Sequence, residues 1–163
     1  MAKTLKFTML AAAVSCLVSC ETAAVKPASS TPAVAAPVQK VRTTAYTHSE
    51  GSSRNAIGSR LSSGDVKSAG SDWSRFPLGT RFRVVQTGQE YVIDDYGGAL
   101  VGTSTIDLYK PSRGEMNRWG VRHVDIEILH WGSEVESLKV LKPRKGSRIV
   151  RRMVASLENK SRG

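Results

Sequence analysis

The 163-residue chain carries 24 Lys and Arg against 14 Asp and Glu, a formal charge of +10, and has only two cysteines, at positions 16 and 20. With both cysteines this early, the remainder has no disulfide framework, no cysteine-based metal site and no thiol nucleophile. The patterned stretch, residues 41–131, suffices for one small domain and no more.

Residues 1–19 read as an export signal. Lys3 and Lys6 give a basic start, and TMLAAAVSCLVS is an apolar run too short to cross a bilayer as a permanent helix. The run ends in Leu17-Val18-Ser19-Cys20, which resembles the bacterial lipobox, where cleavage precedes a lipid-modified cysteine. Cys20 is therefore expected to anchor the chain to a membrane, the alternative being an ordinary cleaved secretory signal. Glu21, in place of Asp, points to the periplasmic face of the outer membrane. Residues 20–40 hold Pro27, Pro32 and Pro37 among Ala, Ser, Thr and Val, without apolar periodicity, and read as an extended tether.

The domain, residues 41–132, opens with a strand-like run at 41–47 and a polar Gly/Ser/Asn loop at 48–64. RFRVVQ at 81–86 and EYVID at 90–94, joined through Thr87-Gly88, read as a hairpin. TIDLY at 105–109 is another strand, and in 121–129 the apolar Val124, Ile126 and Ile128 alternate with polar neighbours to define a buried face. Between them Ser112-Arg113-Gly114-Glu115 has the form of a capping box, with Met116 and Trp119 as apolar contacts and Gly120 as a stop. Several short strands and one small helix imply an all-β, compact barrel. The tail, residues 133–163, has nine Lys/Arg against three Glu and so carries +6 of the total charge. It reads as an appendage with a basic helix near 147–159 and no place in the barrel.

Asp94, Asp95 and Asp107 stand out, because a strand interior is a poor place for a carboxylate unless it faces water or does chemistry. Two of them belong to a pattern with Asp72. Thr44-Ala45-Tyr46, Asp72 with Phe76-Pro77-Leu78-Gly79-Thr80, Asp95 with Gly97-Gly98-Ala99-Leu100 and Gly102, Ile106-Asp107-Leu108-Tyr109 and Trp119-Gly120 follow one another in order. Residues 41–131 thereby resemble the three-aspartate (3D) domain, which is similar to the C-terminal barrel of membrane-bound lytic transglycosylase A and of related muralytic proteins. The spacing of Asp95, the glycine pair and Asp107 carries most of the likeness. The chain departs from the family at Tyr96, where a small hydroxyl residue is usual, and at Val101, often a lysine.

The resemblance implies a six-stranded double-psi β-barrel acting on peptidoglycan glycan strands, without cofactor or metal. Such enzymes cleave between N-acetylmuramic acid and N-acetylglucosamine with one carboxylic acid, which first protonates the leaving oxygen and then takes the proton of the C6 hydroxyl, closing a 1,6-anhydro ring. That acid must begin protonated and so needs a raised pKa. Asp107 suits this role, since Ile106 and Leu108 flank it and by strand alternation face the core, leaving Asp107 to a groove. Asp95 is expected to raise its pKa or hold substrate, and Asp72 to support them, structurally more than chemically. Thr44, Tyr46, Tyr96, Gly97 and Gly98 are expected to line the substrate groove, the glycines through positive φ or close approach of the backbone. Asp94 is expected to face solvent or the side opposite Asp95, and Trp73 to stack on a sugar or pack in the core.

His48, His123 and His130 are too scattered for a metal site, and serine-hydrolase and nucleotide-binding motifs are absent. In the envelope the basic tail meets anionic lipids, lipopolysaccharide phosphates and stem peptides rather than nucleic acid. A monomer is expected. The competing reading is a non-catalytic glycan-binding lipoprotein with an expansin-like or rare-lipoprotein-A-like barrel.

Overall fold

Alternation decides the longest strands. In the computed structural model, which describes residues 38–162, Val124, Ile126 and Ile128 of β6 (Arg122–His130) all point into the core while their neighbours do not. The export signal, Cys20 and most of the tether lie outside the described residues. Val38 to Lys40, expected in the tether, instead begin β1 (Val38–Tyr46), because β6 is long enough to pair with them.

The other strands are β2 (Val66–Gly70), β3 (Arg81–Val84), β4 (Glu90–Asp95) and β5 (Ile106–Tyr109). They close a mixed barrel in the order β1-β5-β2-β4-β3-β6. Two pairings are parallel, β1 with β5 and β2 with β4, and the rest are antiparallel. A closed sheet leaves no free edge. Ala69, Phe82, Val84, Tyr91, Ile93, Ile106, Leu108 and Ile126 fill the interior.

Helix α1 (Arg113–Trp119) starts where the capping pattern places it: the Ser112 side chain accepts from the Glu115 amide, and Gly120 ends the helix. Trp119 packs on the barrel and donates through Nε1 to Thr43 Oγ1 at 3.1 Å.

The tail is not an appendage. It forms α2 (Glu134–Leu141) and α3 (Arg148–Lys160), joined by a 3-10 turn, and Leu141, Val150, Met153, Val154 and Leu157 are buried in the same hydrophobic cluster as the barrel residues. The spacing 150, 153, 154, 157 is one face of a helix, and it outweighs the charge on the opposite face. The chain enters α2 through Gly132, where a Cβ would collide with the backbone of Leu78, Pro77 and Thr80. Ser133 donates to Leu78 O at 2.9 Å, and Ser137 Oγ accepts from Leu78 N at 2.9 Å, locking helix and barrel together. No helix among the described residues is long and apolar enough to cross a membrane.

Candidate functional site

Four residues stand in a row across four neighbouring strands. Thr44 on β1 is paired with Asp107 on β5, Asp107 with Gly70 on β2, and Gly70 with Asp95 on β4. At the usual strand spacing the two aspartate backbones are about 10 Å apart. Gly70 puts no side chain between them. A cleft of about 530 Å³ opens over Asp107, Gly70 and Asp95, lined with them by Tyr46, Tyr96, Gly97 and Leu100 on the barrel side and by Thr47, Glu50, Gly51, Ser52, Arg54, Asn55 and Ala56 of the loop on the other; Thr44, expected to line the groove, is not in the lining.

Asp107 is half-buried, and Ile106 and Leu108 on either side of it are fully buried, as alternation requires. Thr44 Oγ1 donates to Asp107 Oδ1 at 2.6 Å. Burial pushes the Asp107 carboxyl above the usual carboxylate range; the Thr44 hydrogen bond and the Arg42 charge oppose this, while the charge of Glu50 adds to it. The like charge acting on Asp107 is therefore that of Glu50, in place of the Asp95 that the sequence suggests.

Asp95 is half-buried too, and burial raises its pKa, with the charge of Asp94 adding to the shift. Its Oδ1 accepts the Tyr96 amide at 2.9 Å and its Oδ2 the Tyr46 hydroxyl at 3.4 Å, both of which favour the carboxylate. Its backbone is held as well, the carbonyl accepting from Trp73 Nε1 at 2.8 Å and from Ser71 N at 3.1 Å. Tyr46 stays a phenol: burial, and then the charges of Asp95, Asp94 and Asp107, drive its pKa upward.

Asp72 takes the structural role and does not line the cleft. It is buried in the following turn, where Oδ1 accepts from Ser74 N and Oγ and Oδ2 from the Gly102 amide at 2.7 Å, so it braces the loop that leads to β5. Several expectations need correction. Asp94 does not face water. It is buried, and Oδ2 accepts from Asn55 Nδ2 at 2.8 Å and from Ser68 Oγ at 2.6 Å. Trp73 is wholly in the core and presents no face to a ligand; Tyr96 meets it edge-on at 5.1 Å between centroids. Neither Gly97 nor Gly98 has positive φ; in this loop that belongs to Gly102, at 88°. Gly97 lines the cleft, but Gly98 faces α3, where an added Cβ would stand 2.7 Å from Ile149 Cδ1.

Sequence reasoning passed over Glu50, Arg54 and Asn55, which lie in the polar loop. Asn55 ties that loop down through Asp94 and, through Oδ1, accepts the Ser59 amide at 2.9 Å. The signal was there: charged and amide side chains in an otherwise Gly/Ser stretch directly after Thr-Ala-Tyr. Among the described residues no group of three or more His, Cys, Asp or Glu is placed to hold a metal ion. His48 instead meets the Tyr109 hydroxyl at 3.1 Å. Compared with known proteins, the chain matches no family model and no curated protein.

Proposed function

We propose that the chain is a three-aspartate-type lytic transglycosylase with a double-psi barrel, cleaving peptidoglycan between N-acetylmuramic acid and N-acetylglucosamine. One observation carries this reading: Asp107 stands in an open cleft, half-buried, with burial raising its pKa and one oxygen occupied by Thr44. With Oδ1 accepting from Thr44, Oδ2 is the oxygen that would carry the proton toward a ligand. It passes to the glycosidic oxygen as the bond to the muramyl C1 breaks. The resulting Asp107 carboxylate takes the proton of the C6 hydroxyl of the same sugar, and O6 bonds to C1. The acid is restored without water. Asp95 needs no covalent role, because a single carboxyl serves as acid and then as base. Held by Tyr46 and the Tyr96 amide, it suits the binding of sugar hydroxyls.

The mixed barrel with two parallel pairs supports the double-psi assignment. The lipobox-like Cys20 supports anchoring in the cell envelope. The exposed Arg148, Arg151 and Arg152 of α3 would face anionic envelope polymers. The chain acts as a monomer without cofactor in this reading.

Incubation with isolated sacculi, followed by mass spectrometry of the soluble fraction, tests the proposal. Wild-type protein should release 1,6-anhydro muropeptides, and Asp107→Asn should lower the yield by at least about a hundredfold, the usual weight of a general acid, with an unaltered circular-dichroism spectrum. Equal release by both proteins removes Asp107 from the chemistry. Binding to sacculi with no product from either would favour the glycan-binding lipoprotein instead.

A further inference from the structure

The loop wall of the cleft carries charge of both signs, Glu50 and Arg54. Residues 53–61 double back on themselves, Asn55 N donating to Ser59 O at 2.8 Å and Leu61 N to Ser53 O at 3.0 Å, with Arg54 and Arg60 bridged across the turn. Asn55 pins this turn to the buried Asp94, so it is a fixed wall. Arg54 lines the cleft from it, using Nη1 on Gly58 O at 2.7 Å and keeping its other donors. Arg144, from the turn before α3, reaches Ala56 O with Nη1 at 2.7 Å, which brings a further guanidinium to the same wall. None of Arg54, Arg60 and Arg144 joins an ion pair among the described residues. Arg54 is thus a guanidinium in the cleft lining with no carboxylate partner within ion-pair distance among the described residues. The planar fork of arginine favours a carboxylate.

We infer that Arg54 holds a carboxylate that branches from the saccharide in the cleft. The group would be borne on the 3-O-lactyl arm of a muramyl residue, either the arm's own carboxylate or that of a peptide attached to it. This rests on the glycan-cleaving reading of the floor and adds a specificity to it. A strand of N-acetylglucosamine alone has the same ring backbone and nothing for the wall to hold.

Binding to the full chain carrying Asp107→Asn separates the outcomes, because turnover is absent. Three length-matched saccharides are titrated by calorimetry: a peptide-bearing muramyl strand, the same strand stripped by an amidase, and a chito-oligosaccharide. The better muramyl ligand should bind about tenfold or more tightly than the chito-oligosaccharide, the scale of one charge-assisted contact. Whichever muramyl strand binds better identifies the source of the carboxylate. Adding Arg54→Gln, a change at an exposed side chain, should erase the difference. Equal affinity for all three ligands, or a preference that survives Arg54→Gln, overturns the arginine assignment and leaves the glycan reading standing. Failure of all three to bind overturns the glycan reading itself, and the inference with it.

Discussion

Thr44 and Glu50 act on one carboxyl with opposite sign. The Thr44 hydroxyl stabilises the Asp107 carboxylate, whereas the negative charge of Glu50 disfavours it. In the proposed cleavage Asp107 works while protonated, so the rate would fall as pH rises through its pKa in the folded protein. Thr44→Val removes the donor, raises that pKa and moves the alkaline limb of the pH–rate profile to higher pH. Glu50→Gln removes the like charge and moves the limb to lower pH, by less, since Glu50 is exposed and screened. Profiles of sacculus solubilisation for the two variants check this; shifts of the same sign would mean that another group titrates. At this scale much is legible in the sequence. The position of Asp107 follows from its two apolar neighbours in a strand. Asp94 is not legible, because its partners, Asn55 and Ser68, come from segments remote in sequence, and no local pattern announces a buried carboxylate whose one bonded oxygen is held from afar.

Elements are legible where period or capping is strong, as in β6 and α1, and illegible where neighbours supply the reason for the fold. β2 escapes sequence reasoning altogether. Val66-Lys67-Ser68-Ala69-Gly70 has one strong β-former, and its small buried side chains make sense only between β4 and β5. The tail misleads because its charge is more conspicuous than its apolar stripe. That stripe gives a stability prediction. Leu157→Ala removes a fully buried side chain from α3 and should cost about 2–5 kcal/mol in urea unfolding. It should do so through a single transition reported alike by helix and by barrel tryptophans, since both share one core. An early separate loss of helical signal would instead mean that α3 stands apart from the barrel.

For the molecule as a whole, three carboxyls have pKa values raised by burial, those of Asp94, Asp95 and Asp107. An acid whose folded pKa exceeds its unfolded value binds more protons when folded. Its contribution is complete below the unfolded pKa of about 4 and is lost as pH rises through the folded value. At neutral pH these charges therefore weigh against the fold. Asp107→Asn, which keeps an oxygen for Thr44, should melt above the wild type at pH 7, with the gap closing toward pH 4. A gap independent of pH would show that the carboxyl titrates alike in both states. The general outline of a small barrel is readable from short strands and turns, but strand order is not, since parallel neighbours come from distant stretches. That order has a kinetic side. β1 is hydrogen-bonded only to β5 and β6, so the first strand must wait for residues 106–130 before either of its edges is occupied. Loop-closure entropy has to be met before those remote pairings return anything. A chain still growing from the ribosome thus cannot complete the barrel, and the polypeptide stays threadable until residues 106–130 have been made.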